Sequence, residues 1–297
     1  MAGLKEVRIR IASVESTKQI TNAMKMVSAS KLRKAQNAIV KLRPYEAKMQ
    51  EILHQIQSKI QDLPLADYGR KNDIGKVLVI VITSNKGLCG NFNATVIKET
   101  VNTISNRYSD LNKEGKLDII TIGRKGTDFF RKRKYNVIKD YDSLFQKLSY
   151  ENTEAIIRTV MESFIAGHYD AVDIIYNKFK NASSQILSNE RFLPVQNDSF
   201  AELKKKKSKS DIDYLYEPDK LEIISHLIPK ILKLRFHRAI LDSHAAEHGA
   251  RMTAMHKATD NASELIKSLR LYYNKVRQAT ITKEILEIVG GAEALKG

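Results

Sequence analysis

The stretch from His244 to Ile281 decides the fold, and its sequence is HAAEHGARMTAMHKATDNASELIKSLRLYYNKVRQATI. Apolar or small residues recur in it at alternating steps of four and three, the heptad spacing of a helix that packs along another helix. The positions with this spacing are His248, Met252, Met255, Thr259, Ala262, Ile266, Leu269, Tyr273, Val276 and Thr280. The pattern predicts either a helix within a helical bundle or one strand of a coiled-coil shaft, and both require a partner helix.

The predicted helix is far longer than usual. No proline follows Pro229, and Gly249 is the only glycine between it and Gly290. At about 1.5 Å per residue, a helix from Lys230 to Val289 would extend roughly 90 Å, whereas the mean helix has about 11 to 12 residues. Small residues crowd the start of the heptad stretch, which lets two helix backbones approach closely: Ala245, Ala246, Gly249, Ala250, Ala254, Ala258 and Ala262.

Residues 2 to about 60 are expected to form the partner helix. Its apolar positions are Leu4, Val7, Ile11 and Val14, then Ile20, Met24 and Val27, and then Leu32, Ala35, Ile39 and Leu42. Its polar face is strongly basic, with Lys and Arg exceeding Glu by about eight in the first sixty residues. Pro44 is expected to kink or interrupt the helix, and a second helical piece, 45–61, is expected to follow it.

The middle of the chain has a different pattern. Residues 76–83, KVLVIVIT, form a β-branched run typical of a strand buried on both faces. Strands are predicted at 76–83, 117–122, 135–139, 171–179 and 211–217, and helices at 93–106, 126–132, 153–166 and 221–227. This alternation indicates a parallel sheet with right-handed crossovers. Pro229 is expected either in the first turn of the long helix or at a kink within it.

These patterns together predict a mixed α/β protein. A long antiparallel coiled coil of the N- and C-terminal helices would carry an inserted Rossmann-like domain with a parallel sheet. The expected domains are an N-terminal helix at 1–62, the inserted α/β domain at 75–217 and the C-terminal helix at 218–297. Residues 1–62 and 218–297 would form one shaft.

Composition limits the partners and the compartment. Lys and Arg exceed Asp and Glu by 50 − 34 = 16, so the surface favours nucleic acid, anionic lipid or an acidic protein. Cys89 is the only cysteine, which excludes an intrachain disulfide and a CxxC metal site and suits a reducing compartment. No apolar run approaches the ~20 residues of a membrane span, and no apolar signal core is present. The chain is therefore expected to be soluble or peripheral to a membrane.

Two local motifs suggest chemistry, but each has a simpler explanation. His244, Glu247 and His248 match the HxxEH string of inverted zinc peptidases, yet no third ligand is evident and the small neighbours favour close packing. The turn 86–90 follows a buried strand, where a phosphate loop would lie, but it has neither GxGxxG nor GxxxxGK[ST]. Cys89 has no evident base and is expected to be a small buried thiol. No catalytic residue, metal or cofactor is predicted.

The basic N-terminal helix leaves one alternative function open. Its charges could follow a nucleic-acid backbone, which would make the chain a basic coiled-coil nucleic-acid-binding protein. However, the first forty-four residues contain no aromatic residue on which a base could stack. Nucleic acid is therefore not the expected partner.

Both ends of the chain resemble the gamma subunit of the rotary (F-type) ATP synthase. The resemblance rests on LKEVR (4–8), TKQIT (17–21), AMKMVSASKL (23–32), TSNKGLCGNFN (83–93), YLYEPD (214–219), EHGARM (247–252) and YNKVRQATIT (273–282). It implies a non-catalytic central stalk that turns with the proton-driven c-ring in the membrane and cycles the alpha and beta catalytic subunits through their states. The epsilon subunit would bind the foot of this stalk.

The resemblance also implies roles for individual residues. Those that match family positions at the catalytic subunits are Met24, Lys86, Arg251, Arg277, Gln278 and Thr282, and those near the rotor ring and epsilon are Tyr214, Tyr216 and Glu217. The family motif begins almost at Met1, which leaves no room for a transit peptide. A bacterial protein on the cytoplasmic side of the inner membrane is expected.

Overall fold

The computed structural model describes residues 4–58, 68–69, 74–195, 217 and 219–294. Its two longest elements are helix α1, Leu4–Ser58, and helix α6, Lys220–Ala294. The chain divides into two compact units, one formed by Met1–Ala29 with Arg251–Gly297 and the other by Ser30–Ala250. We refer to the first as the helical unit and to the second as the α/β unit.

The α/β unit is built on a five-stranded sheet with the order β3-β2-β1-β4-β5. The strands are β1 Val77–Ile82, β2 Leu117–Ile122, β3 Val137–Asp140, β4 Ala171–Phe179 and β5 Gln185–Leu193. The first four are parallel, and β5 runs antiparallel to β4. The predicted mixed α/β class is confirmed, and the four parallel strands lie where the sequence predicts them. Strand β5 is not among the strands that the sequence predicts.

The helices of this unit cover both faces of the sheet. They are α2 Phe92–Arg107, α3 Ser109–Lys113, α4 Arg124–Lys132 and α5 Tyr150–Ile165, with a short 3-10 helix at Asp142–Gln146. The even-numbered side chains of β1 pack with α5 and the first turns of α6, whereas Val77, Val79 and Val81 pack with α2 and α4. Burial on both faces is what makes β1 a continuous apolar run.

Both long helices continue through a proline. Of the two outcomes predicted at Pro44, a kink or an interruption, the interruption is wrong, because α1 is one helix from Leu4 to Ser58 and no separate helical piece begins at residue 45. Likewise, the predicted short helix 221–227 is the first part of α6, and Pro229 lies inside that helix. Leu53 and Leu232, which lie within a few turns of these prolines, are buried in the core. Their packing offsets the cost of about 3 kcal/mol that an interior proline imposes.

The helical unit is an antiparallel pair of helices. Glu15 of α1 forms an ion pair with Arg270 of α6 at 2.7 Å, and six residues later Thr21 lies 2.9 Å from Thr259. The predicted α6 positions in this unit are confirmed as its inward side. Met255, Thr259, Ala262, Ile266 and Leu269 are buried, and Met252, Tyr273, Val276 and Thr280 are half-buried.

The inward face of α1 differs from the predicted one. Ile20 and Val27 are 60% and 57% exposed, whereas the polar residues Thr21 and Ser28 are buried. The heptad register that starts at Leu4 continues through 18, 21, 25 and 28 to Leu32, so helix geometry turns the polar residues inward. Following the apolar residues to Ile20 and Val27 broke this register, and that part of the prediction is wrong.

A buried histidine makes the stability of the α/β unit depend on pH. Nδ1 of His237 lies 2.8 Å from the hydroxyl of Thr153, and burial lowers the pKa of His237 from its ordinary 6.5 although Glu151 opposes the shift. A pKa that folding lowers means that this contribution to stability is present above pH 6.5 and is lost as pH falls through the folded-state value.

We therefore expect the free energy of unfolding to fall between about pH 7 and about pH 5, and to fall less in His237→Gln. Urea unfolding of both proteins at the two pH values measures this difference. Equal losses in the two proteins would show that His237 does not carry the effect.

Candidate functional site

The carboxyl edge of the parallel strands, where α/β proteins bind ligands, is occupied by the chain itself. The first amide groups of α4 would be free to bind an anion in a phosphate site. Here the amide of Arg124 donates to Oδ1 of Asn85 at 3.0 Å, that of Lys125 to the carbonyl of Ser84 at 3.1 Å, and that of Gly126 to the hydroxyl of Thr83 at 2.9 Å. The loop after β1 thus caps α4 in place of a phosphate.

The same loop holds Cys89 in a structural role. The Cys89 thiol is buried, with Nδ2 of Asn93 at 3.2 Å and the hydroxyl of Ser84 at 3.8 Å. Neither neighbour is a base that could activate a nucleophile. Cys89 and Phe92 pack directly against Ala246 and Ala250 of α6. The prediction of a small buried thiol is confirmed.

Gly249 explains why this part of α6 is rich in small residues. A Cβ atom at this position would lie 3.2 Å from the backbone of Ala182, in the turn between β4 and β5, and 3.5 Å from Phe179. The β4–β5 hairpin therefore packs directly on the backbone of α6 at Gly249, and a larger side chain at this position would push the hairpin away.

The HxxEH string lies in the same densely packed part of α6. Glu247 and His248 are buried, and the ring of His244 packs edge-on against Phe145 at 5.4 Å. Within the ranges that the structure describes, no group of three or more His, Cys, Asp or Glu residues could hold a metal ion. The string serves helix packing.

Helix α1 is strongly basic along its length. None of its ten cationic side chains between residues 5 and 43 forms an ion pair with another residue that the structure describes. They are Lys5, Arg8, Arg10, Lys18, Lys25, Lys31, Arg33, Lys34, Lys41 and Arg43. Their charges are thus available to an acidic partner.

The residues singled out by the family resemblance fall into different environments. Arg277, Gln278 and Thr282 are exposed on two successive turns of α6, and the Thr282 hydroxyl donates to the Gln278 carbonyl at 2.9 Å. Met24 of the helical unit is half-buried, and Arg251 is buried.

The remaining candidates belong to the other unit. Lys86 is exposed in the loop after β1, and Glu217 is also exposed. Tyr214 and Tyr216 lie outside the described residues, as does all of the predicted strand 211–217 except Glu217. The structure thus brings only Arg277, Gln278 and Thr282 into one visible cluster.

The end of α6 carries an apolar surface that the sequence interpretation missed. Every described side chain from Ile281 to Glu293 is exposed, including Ile285, Leu286 and Ile288. Extending the pairing of Glu15 with Arg270 places Leu4 near residue 281, so α6 continues beyond the described start of α1. Counting the register from both chain ends would have revealed these residues.

No helix among the described residues combines the length and the apolar character that crossing a bilayer demands.

Comparisons with known proteins agree across the whole chain. A family model described as ATP synthase matches residues 3–295. The ATP synthase gamma chain of Flavobacterium psychrophilum is 51% identical over all of both chains, and that of Cytophaga hutchinsonii is 48% identical over 99% of each.

Solved structures give the same agreement at the level of the fold. A chain of the central stalk and c-ring of the Tetrahymena thermophila mitochondrial ATP synthase aligns with a TM-score of 0.56 and 27% identity, over 80% of this chain and 99% of that one. A chain of the Euglena gracilis mitochondrial ATP synthase aligns with a TM-score of 0.65 and 20% identity, over 98% of this chain and 94% of that one.

Proposed function

Because the chain belongs to the ATP synthase gamma chain family, we propose that it is the central rotor shaft of a proton-driven ATP synthase. In this role it couples rotation of the membrane c-ring to the conformational cycle of the catalytic subunits and catalyses no reaction itself. The observation that carries the proposal is the helical unit, an antiparallel helix pair with a packed inner face, in which none of the α1 cations from Lys5 to Lys25 forms an ion pair with another described residue.

The roles that we propose for the parts of the chain follow the expected domain boundaries. Residues 1–62 and 218–297 form the shaft, and 75–217 form the inserted α/β domain. The filled carboxyl edge of the sheet supports a mechanical role for that domain, since the crevice that binds a dinucleotide in a Rossmann fold is occupied by side chains of the loop after β1 and of α6.

The proposed partners differ along the chain. The alpha and beta subunits of the catalytic ring contact Met24, Lys86, Arg251, Arg277, Gln278 and Thr282, with their acidic segments facing the basic side chains of α1. Tyr214, Tyr216 and Glu217 lie near epsilon and the c-ring. Because the gamma chains of Flavobacterium psychrophilum and Cytophaga hutchinsonii come from bacteria, we assign the complex to the cytoplasmic side of the bacterial inner membrane.

Removing the polar cluster at the end of α6 tests the contact with the ring. We expect Arg277→Ala with Gln278→Ala to lower coupled ATP synthesis in membrane vesicles about tenfold or more, because a hydrogen bond to a charged group contributes about 1.5 to 3 kcal/mol. Both side chains are exposed, so the isolated chain should unfold at an unchanged urea concentration. Lys275→Ala, an exposed cation nearby, is the matched control. A double variant that assembles and synthesises ATP at the normal rate would contradict these assignments.

Affinity purification tests the function as a whole. The tagged chain should co-purify with catalytic ATPase subunits at physiological salt, and the isolated chain should have no ATPase or peptidase activity. Recovery of nucleic acid that dissociates as salt rises, without ATPase subunits, would instead favour the nucleic-acid-binding alternative.

A further inference from the structure

A cluster of basic side chains lies where α4 ends and the chain leads into β3. Lys132 is the last residue of α4, and Arg133 and Lys134 follow it in the turn before β3. All three side chains are exposed, and none of them forms an ion pair with another residue that the structure describes. We refer to Lys132, Arg133 and Lys134 as the basic turn. It presents positive charges at three consecutive positions.

The backbone of the basic turn has a conformation that favours glycine, yet it carries lysine. Lys134 has φ of 61°, in the left-handed region that glycine most often occupies after a helix. Its amide donates to the carbonyl of Arg131 at 3.0 Å, which closes the turn. Cζ of Arg133 lies 4.3 Å from the ring centre of Phe129, a contact that orients the guanidinium. A lysine in a conformation that is costly for any side chain indicates a use for its charge.

The helix dipole does not account for the basic turn. Cations stabilise the last turn of a helix, and Arg131 and Lys132 lie in the last turn of α4. Arg131 is also paired with Asp140 at 2.6 Å. The dipole effect falls off within the last turn, so it does not require the charges of Arg133 and Lys134.

The basic turn lies at the amino edge of the parallel sheet, the edge at which β1 to β4 begin. Val137, the first residue of β3, pairs with Ile119, the third residue of β2, and the turn comes just before Val137. The described lysines that come just before β1 and β2 are paired with carboxylates, namely Lys76 with Asp118, Lys113 with Asp110 and Lys116 with Glu114. The basic turn is therefore the uncompensated positive charge of this edge.

The opposite edge of the sheet carries Lys86, in the loop after β1, which we assign to the contact with the catalytic ring. Strand β1 has six residues, so the two edges are about 20 Å apart. In the proposed function the shaft joins the catalytic ring to the c-ring in the membrane. The edge that faces away from the catalytic ring, with the basic turn, then faces the bilayer.

We propose that the basic turn binds the anionic headgroups of the membrane around the c-ring. The proposal rests on the proposed function and deepens it, because it adds a lipid surface to the partners. Each Lys or Arg close to an anionic membrane contributes roughly fivefold to binding. Such an attraction acts over a Debye length of about 10 Å and needs no fixed geometry. It can therefore persist while the shaft turns.

Vesicle binding by the assembled complex of this chain with alpha and beta subunits tests the proposal. Assembly also places the basic side chains of α1 against the ring, which limits their contribution to vesicle binding. Lys132→Gln with Arg133→Gln and Lys134→Gln should weaken sedimentation with vesicles of phosphatidylcholine and phosphatidylglycerol about tenfold or more at physiological salt. The three side chains are exposed, so urea unfolding of the isolated chain shows whether this glutamine variant keeps its fold.

Two controls separate the position of the charges from net charge and from packing. Lys98→Gln with Lys147→Gln and Lys180→Gln removes the same charge from exposed positions away from the basic turn, and should weaken vesicle binding less than about twofold. Exchanging Lys for Arg and Arg for Lys throughout the basic turn keeps the charge and should leave vesicle binding unchanged.

The outcomes separate this proposal from the proposed function. Failure of the unmodified chain to assemble with alpha and beta subunits would overturn the function, whatever the vesicles show. If the complex assembles but binds no anionic vesicles, or binds phosphatidylcholine alone equally well, the membrane is not the partner. Equal binding by the glutamine variant and the charge-matched control would show that the basic turn is not the contact. Loss of duplex DNA binding in place of vesicle binding would overturn the assigned partner.

Fluorescence quenching gives a second measurement that needs no loss of affinity. A fluorophore attached to Lys134→Cys in the assembled complex should be quenched by vesicles with a headgroup quencher. One attached to Lys180→Cys, just after β4 at the opposite edge, should not be quenched, and the buried Cys89 takes up little label. Equal quenching at the two positions would contradict the proposal.

Discussion

Asp173→Ala is expected to lower the free energy of unfolding of the α/β unit by about 3 kcal/mol, the lower end of the cost of breaking a buried ion pair. Asp173 is buried on β4. One carboxylate oxygen lies 2.5 Å from Nε of Arg191, and the other accepts a hydrogen bond from the Tyr108 hydroxyl at 2.5 Å. Nη2 of Arg191 also donates to the Tyr108 oxygen at 2.7 Å, which closes the triangle.

Removing this carboxylate leaves two groups without their main acceptor. The Arg191 side chain is 26% exposed and can partly recover its hydration, which is why the lower end of the range applies. The Tyr108 hydroxyl is deeper, and its pKa is raised by burial and then by Asp173. In Asp173→Ala the pKa of Tyr108 should therefore fall toward its ordinary value of 10.0, which ultraviolet titration measures.

The matched control is Asp110→Ala, which breaks an exposed ion pair with Lys113. A surface pair of this kind contributes between zero and about 1 kcal/mol, so urea unfolding of this variant should differ little from that of the unmodified chain. If both variants lost the same small amount, the buried triangle would not be what stabilises the packing of β5 on β4.

This triangle also explains why β5 escapes sequence-based prediction. Strands β1 to β4 are predicted because their apolar runs are local signals of burial. Strand β5 includes Ser188, Asn189, Glu190 and Arg191, and most of its side chains are half-buried or exposed. Strand β5 is held in the sheet by contacts between residues far apart in the sequence, such as those of Arg191 with Asp173 and of Glu190 with Arg235. Contacts of this kind produce no periodic pattern in the sequence, so sequence analysis does not detect them.

The two long helices show the same limit in another form. On α6 the apolar residues coincide with the heptad register, so the pattern alone identifies Ile266 and Leu269 as buried. On α1 they diverge, and the register rather than hydrophobicity decides that Thr21 is inside and Ile20 is outside. The Thr21 hydroxyl donates to the Lys18 carbonyl at 3.0 Å and lies beside Thr259, so its burial leaves no unsatisfied group.

The candidate contact residues required information of a different kind. Periodicity treats Arg277 and Lys275 alike, because both are exposed cations on one helix. Only the resemblance to the gamma subunit family distinguished Arg277, Gln278 and Thr282.

Gly123→Ala, which adds one methyl group, is expected to lower the free energy of unfolding of the α/β unit by more than about 4 kcal/mol. Gly123 joins β2 to α4 with φ of 106°, outside the range of most side chains. An added Cβ would overlap the carbonyl oxygen of Thr83 and lie 2.6 Å from its carbonyl carbon. Because these are backbone atoms at the end of β1, relief would require the ends of β1 and β2 to separate.

Displacement of Thr83 would destabilise the unit further, because Thr83 forms several buried hydrogen bonds. Its amide donates to the carbonyl of Ile122 at 2.8 Å, and its hydroxyl donates to the carbonyl of Gly123 at 2.9 Å and accepts from the amide of Gly126 at 2.9 Å. Moving Thr83 breaks these buried bonds, each of which costs about 1 to 3 kcal/mol when a partner is left unsatisfied.

Gly167→Ala separates the steric overlap from the backbone strain. Gly167 also has a positive φ, +78°, but no atom lies within 4 Å of an added Cβ. Gly167→Ala is therefore destabilised only by backbone strain, which costs about 1 to 2 kcal/mol. Urea unfolding of the two variants measures the difference, which we expect to exceed about 2 kcal/mol. Losses equal within error would mean that β1 and the β2–α4 turn do not approach as closely as described. The loop that carries Lys86 would then lack the rigid base that a contact with the catalytic ring requires.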